Sequence, residues 1–237
     1  MSKERPQREL PTWLWLWLPP VMIVLVYGFR ILDDALYEHL FRGEIGVIEL
    51  ATPVASFIGL GFGILALTKW RLLPDRKAVI WIAMVSFGAF YQTGEEISWG
   101  QQLYHWATPQ EMAQLNDQDE TNLHNISSWF DQKPRLLLEL WVLIGGLILP
   151  LKRGLWRQSA PRRDDWRDWF WPTWVCFPTA LLTILVRMPE RLIKWGLMEH
   201  HLKYNLPYSE VQEYYFALFL CIYLASVYTR LQSQAID

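Results

Sequence analysis

The chain predicts an all-α fold, a polytopic membrane helix bundle of about six transmembrane helices in a single domain spanning residues 1–237. Three observations predict it. Apolar residues make up 52% of the sequence while mean hydropathy is only +0.07, so the hydrophobicity is gathered into blocks between polar loops. Each block is close to the ~20 residues that cross ~30 Å of hydrocarbon as a helix. Among 15 tryptophans, Trp13, Trp15 and Trp17 stand together at the start of the first block, where an interfacial aromatic belt belongs.

The expected spans are 11–29, 46–68, 78–99, 136–151, 169–186 and 211–229. Basic residues ahead of the first resemble a signal peptide, but no small-residue cleavage site follows, so an uncleaved span is expected. In the second, Gly59, Gly61 and Gly63 point to close approach by a neighbouring helix. The third carries Glu95 and Glu96 at its end, and the fourth is short and contains Glu139. Pro172 and Pro178 should bend the fifth. Between the third and fourth lies the longest loop, 100–135. Thr108-Pro109 opens a short helix there, and Trp106, Leu115, Leu123, Trp129 and Phe130 are its expected apolar anchors.

Charge orients the spans. The two termini with loops 69–77 and 152–168 hold 14 of the 22 basic residues, which predicts a multi-pass protein of a bacterial inner membrane with both termini cytoplasmic. All five histidines then fall on the opposite, outer side. A net charge of −2 argues against a nucleic-acid partner, leaving membrane lipids and other membrane subunits. Cys176 and Cys221 lie inside apolar blocks and form no disulfide or zinc pattern.

Three polar knots carry whatever chemistry is present. The first is Gly94-Glu95-Glu96-Ile97-Ser98-Trp99-Gly100-Gln101-Gln102, where adjacent carboxylates end a membrane-length block. Neighbours on a helix point ~100° apart, so one of Glu95 and Glu96 can face the bundle while the other faces elsewhere. The second is Glu120-Thr121-Asn122-Leu123-His124-Asn125, in which Glu120 and His124 share a helical face and Asn122 and Asn125 can hold them. The third is Glu199-His200-His201 with Glu210 and Glu213. Arg191, near Arg187 and Glu190, sits in an interfacial ion-pair cluster and is able to grip an anionic head group.

If the knots converge, the chemistry is that of a metal-dependent or acid/base hydrolase acting on a lipid or lipid-linked substrate. Glu95, Glu96 and His124 are its catalytic candidates. Glu96, Glu120, His124, His201 and Glu213 are its candidate ligands for a divalent metal such as zinc. Trp99, Gln102, Asn122, Asn125 and Arg191 are its substrate-binding candidates. A non-enzymatic accessory subunit, or a lipid- or ion-binding membrane protein, uses the same knots to brace its outer loops.

Three segments, 42–49, 94–102 and 116–125, together resemble a family of bacterial multi-span membrane proteins; that resemblance covers roughly residues 40–130 and implies no activity. Glu95-Glu96, with Gly100 where an arginine would stand, and His201-Leu-Lys-Tyr-Asn205 are more weakly similar to the paired motifs of the CAAX-type intramembrane proteases. The multi-span ceramidase-like hydrolases, which gather histidines and an acid around zinc, offer a further parallel.

Overall fold

The computed structural model describes residues 9–41, 46–113, 121–123, 128–155, 164–199 and 206–234; they are helical, with no strand among them. The long helices are α1 (Trp13–Leu32), α3 (Val47–Thr68), α4 (Arg76–Glu96), α5 (128–155, apolar over Gln132–Lys152), α6 (Arg167–Lys194) and α7 (Tyr208–Gln234). A short helix, α2 (Asp34–Phe41), follows α1. Five of these, all but α2 and α4, are long and apolar enough to cross a membrane.

The remaining long helix, α4, needs its own argument. Its 21 residues match a span in length, and its polar end Gln92–Glu96 lowers its hydropathy. Three observations are consistent with a sixth crossing. It packs along α3 as an antiparallel partner. Ile80, Met84, Phe87 and Phe90 form an exposed apolar stripe down one face, as a lipid-facing surface requires. Parity agrees: the Glu9 carboxylate accepts a hydrogen bond from Ser226 Oγ at 3.0 Å, so the start of the first span and the end of the last lie at one end of the bundle. An even number of crossings is needed, and five helices alone would leave the ends apart.

The central helix is α7, which is buried along nearly its whole length against α3, α4 and α6. Its approach to α3 depends on Gly59, and the approach of α4 to α3 on Gly63 one turn further on. A Cβ on Gly59 would stand 3.0 Å from the Cys221 backbone, and one on Gly63 only 2.1 Å from Ser86 Oγ. Gly61 has nothing within 4 Å, so the expected glycine face is Gly59 and Gly63 alone. The reason is the period: positions four apart share a helical face, and the residue between them points away.

Three sequence boundaries shift. The third span ends at Glu96 rather than Trp99. The fourth starts in a helix at Ser128 rather than at 136, so it is not short; its charged first turns had looked like loop. The fifth extends to Lys194 but is interrupted at Trp171–Thr173, with Pro172 in the break and Pro178 in the first turn of the helix that follows. A π-helical turn, Val142–Ile148, brings Gly145 and Gly146 of α5 against that break. Added Cβ atoms there would meet Pro172 Cδ at 2.7 Å and Ala180 Cβ at 2.5 Å.

Candidate functional site

The first knot is a chain reversal built on a left-handed turn. Ser98 (φ 47°), Trp99 (φ 52°) and Gly100 (φ 98°) follow α4 in succession. Only Gly adopts that region freely, so two consecutive non-glycine residues there store strain of ~1–3 kcal/mol each. What holds them is the Trp99 side chain. Its indole folds back flat onto Gly94, where a Cβ would approach the ring to 2.7 Å. Its Nε1–H donates to Glu95 Oε1 at 2.7 Å. Phe90 and Tyr91 meet the ring edge-to-face.

Glu95 is 4% exposed and each carboxylate oxygen holds a donor, since Oε2 accepts the Leu123 backbone N–H at 2.8 Å. That bond brings the second knot to the first. Thr121 N–H donates to Gln101 Oε1 at 2.5 Å, Gln101 Nε2 donates to Thr108 Oγ1 at 2.9 Å, and Asn122 is buried beside them. Of the apolar anchors expected for this loop, Trp106 (41%) and Trp129 (70%) are exposed and Leu123 is half-buried, while Leu115 and the Phe130 side chain lie outside what is described. Polar bonds to Glu95 and Gln101 tie the described part of the loop, and such bonds are strong when one partner is charged and desolvated.

The third knot joins from α7. Gln92 Nε2 donates to the Glu213 backbone carbonyl at 3.3 Å. The Glu213 carboxylate accepts from Arg135 Nη1 at 2.8 Å; Nη1 also reaches Ser209 Oγ at 3.1 Å, and Nη2 reaches Gln212 Oε1 at 3.0 Å. Glu213 is therefore half of an ion pair, and the repulsion expected among clustered carboxylates is relieved by an arginine. Nearby, Arg191 pairs with Glu139, and Glu190 is flanked by Arg187 at 2.5 Å and Lys194 at 2.7 Å.

Between α4, α5 and α7 lies a cleft of about 480 Å³, inside the ~300–1,000 Å³ range of small-molecule sites. Its walls are Met84, Val85, Gly88, Pro134, Leu137, Leu138, Phe216 and Leu220, and its floor is Trp81 and Trp141. At one end stand Tyr91, Gln92, Glu95, Glu96, Arg135 and Glu213. The cleft exists because α4 and α5 each pack on other helices and scarcely on one another. Met84 (59% exposed) and Leu137 (69%) flank its mouth, so it opens sideways at the depth of the apolar helix surface. Three buried polar atoms of its lining residues, Tyr91 Oη, Gln92 Oε1 and Trp141 Nε1, have no hydrogen-bond partner in the structure.

Of the catalytic candidates, Glu95 and Glu96 both border the cleft. Of the five metal candidates Glu96 and Glu213 do so, while Glu120, His124 and His201 lie outside the described residues, as does Asn125. Among the described residues no three His, Cys, Asp or Glu side chains come together as a metal site. Trp99 braces the turn, Asn122 is buried, Arg191 is held by Glu139, and the Gln102 side chain also lies outside what is described. Arg135 and Gln92 were not singled out by sequence reasoning. An arginine beside an apolar stretch is as costly as the Glu pair, and that was the signal available.

The fold and the site define an integral membrane helix bundle with a lateral cleft that is charged at one end. No protein-family model, characterised protein or solved structure matches the chain.

Proposed function

We propose that the cleft receives a lipid or lipid-linked molecule directly from the bilayer. The observation that supports this is its shape and chemistry together: a sideways mouth at membrane depth, apolar walls, and a charged end. The apolar chain lies along Gly88, Leu138 and Phe216, and the polar group is presented to Gln92 and Glu96. The bias of basic residues toward the terminal side puts that end at the outer surface of a bacterial inner membrane, with both termini in the cytoplasm. Glu95, with both oxygens engaged, is the clamp that orders the turn and the loop, and Glu96 is the carboxylate that meets the guest.

Hydrolysis of the bound molecule is the second reading, favoured by one observation. Leu123, the residue before His124, is bonded to Glu95 at the charged end, where Glu96 already lines the cleft. In that reading Glu96 is the base, with His124 or His201 as base or as ligand of a divalent metal such as zinc, and metal-bound water ionises near pH ~7. An accessory role beside other membrane subunits needs no such chemistry.

The test is native mass spectrometry of the protein released from lipid nanodiscs. Wild type is expected to retain one lipid-sized mass, and Gly88→Leu, which fills a position with open space around it, to lose it. Retention by the filled variant overturns the reading. Under the hydrolytic reading, wild type converts the retained mass to a smaller one and Glu96→Gln retains it unchanged.

A further inference from the structure

We infer that the ion-pair cluster joining α5, α6 and α7 is a second binding site, outside the cleft, which takes a phosphate group at Arg187. It does not depend on the lipid reading above, since neither Arg187 nor Arg191 lines the cleft.

The cluster is built by spacing. Arg135 and Glu139 are four residues apart on α5, and Arg187 and Arg191 four apart on α6, so each pair shares a helical face. Arg191 pairs with Glu139, and Arg135 with Glu213 at 2.8 Å. Gln212 locks the three helices together. It accepts from Arg135 Nη2 at 3.0 Å and donates to the Thr183 carbonyl, four residues before Arg187, at 3.2 Å. The charges of Arg135, Arg191, Glu190 and Glu213 all bear on Arg187.

Those charges do not balance. Among the described residues, four cations (Arg135, Arg187, Arg191 and Lys194) share three carboxylates, Glu139, Glu190 and Glu213. Arg135 and Arg191 each have a carboxylate of their own. Glu190 serves the other two cations, at 2.5 Å from Arg187 and 2.7 Å from Lys194, so one positive charge is left over. Arg187 is where it is felt. Its Nε is bonded to Glu190, whereas its buried Nη1 has no hydrogen-bond partner in the structure. A guanidinium stays charged and only donates, so the missing partner is an anionic acceptor. The side chain is 19% exposed, which leaves it open to a ligand from outside, and exposed Lys194 adds a second cation beside it.

The surroundings favour the phosphate of a lipid. Trp195 and Leu197 follow the cluster and are exposed, as expected of residues at head-group level. Deeper along the same two helices, Leu136 and Leu140 of α5 and Leu181 and Leu185 of α6 are exposed, where acyl chains would lie.

The experiment is a thermal-shift titration of the detergent-purified full chain, since a ligand that binds the folded state raises its Tm. The titrants are dioctanoyl phosphatidylglycerol, dioctanoyl phosphatidylcholine and inorganic phosphate at constant ionic strength. Because Arg187 is reached from the open surface, its occupant exchanges in detergent, and occupancy is read by titration rather than by the mass retained in the cleft. Phosphatidylglycerol is expected to bind at least about tenfold tighter than phosphatidylcholine, a difference of ~1.4 kcal/mol, because the choline cation opposes the surplus charge. Arg187→Gln leaves as many carboxylates as cations, so it should fold as wild type does and lose that preference. Glu190→Gln frees Arg187 and should tighten phosphatidylglycerol binding; if Arg187→Gln fails to fold, this variant carries the test. Unchanged affinity in either variant overturns the inference. A response to the lipid that inorganic phosphate does not reproduce assigns the phosphate to a bilayer lipid. An equal response to inorganic phosphate assigns it to a free anion, and a response to neither overturns the site. Gly88→Leu fills the cleft and should leave every response as in wild type; its loss there would move the binding into the cleft and sink this inference alone.

Discussion

Trp99 and Glu95 are four positions apart, the spacing of neighbours on a helix, yet the helix has already ended between them. Their contact survives because a left-handed turn swings the indole back over Gly94. The Gly-Glu-Glu-Ile-Ser-Trp-Gly motif is therefore explained by geometry: Gly94 makes room for the ring, Glu95 accepts its N–H, and Gly100 takes a backbone angle that suits glycine. Gly94→Ala is expected to destabilise the protein by ~1–3 kcal/mol through overpacking against the indole, read as a lower Tm in detergent. Glu95→Gln should cost ~1.5–3 kcal/mol in lost charge-assisted hydrogen bonds, and Glu96→Gln should lower lipid retention. Unchanged lipid retention in Glu96→Gln would remove its role as the guest-facing carboxylate.

Elements obey the same arithmetic of faces. Gly59 lets α3 meet the α7 backbone and Gly63 makes room for the Ser86 side chain of α4, while Gly61 and Gly88 have open space. Gly59→Leu and Gly63→Leu are expected to lower thermal stability sharply, because each forces packed helices apart. Gly61→Ala should hold or raise Tm, since helix propensity adds up to ~0.8–1 kcal/mol of stability. The reverse order would mean that α3 presents another face to α7. Arg135 belongs to this scale too. Arg135→Met removes the partner of a part-buried Glu213 and should destabilise the helix ends more than Glu213→Gln with Arg135→Met together, since a lone desolvated charge is worse than none.

For the whole molecule, the prediction is one of sidedness. With the native cysteines replaced, single cysteines at positions 75 and 165 should react with an impermeant thiol reagent only from the side of both termini. Cysteines at 106 and 195 should react only from the other side. A chain with five crossings, in which α4 stays on the surface, would place 106 with 75. The parity set by Glu9 and Ser226 says that it does not.

Composition and the block pattern determined the class of protein and the approximate place of each span, because a membrane leaves the backbone few choices and writes them as long apolar runs. The polar knots were legible for a related reason: carboxylates beside hydrocarbon are expensive and stand out in any sequence. Tertiary structure alone decided what the knots do. Whether Glu95 or Glu96 turns inward depends on where Trp99 folds and on the Leu123 amide returning 28 residues later. That Glu213 is neutralised depends on an arginine 78 positions away. The cleft is a space that no single segment encodes, arising because α4 and α5 each find better partners in α3, α6 and α7 than in one another. Local residues set periodicity and desolvation cost, but pairing across the bundle is settled only when all six helices compete for the same neighbours.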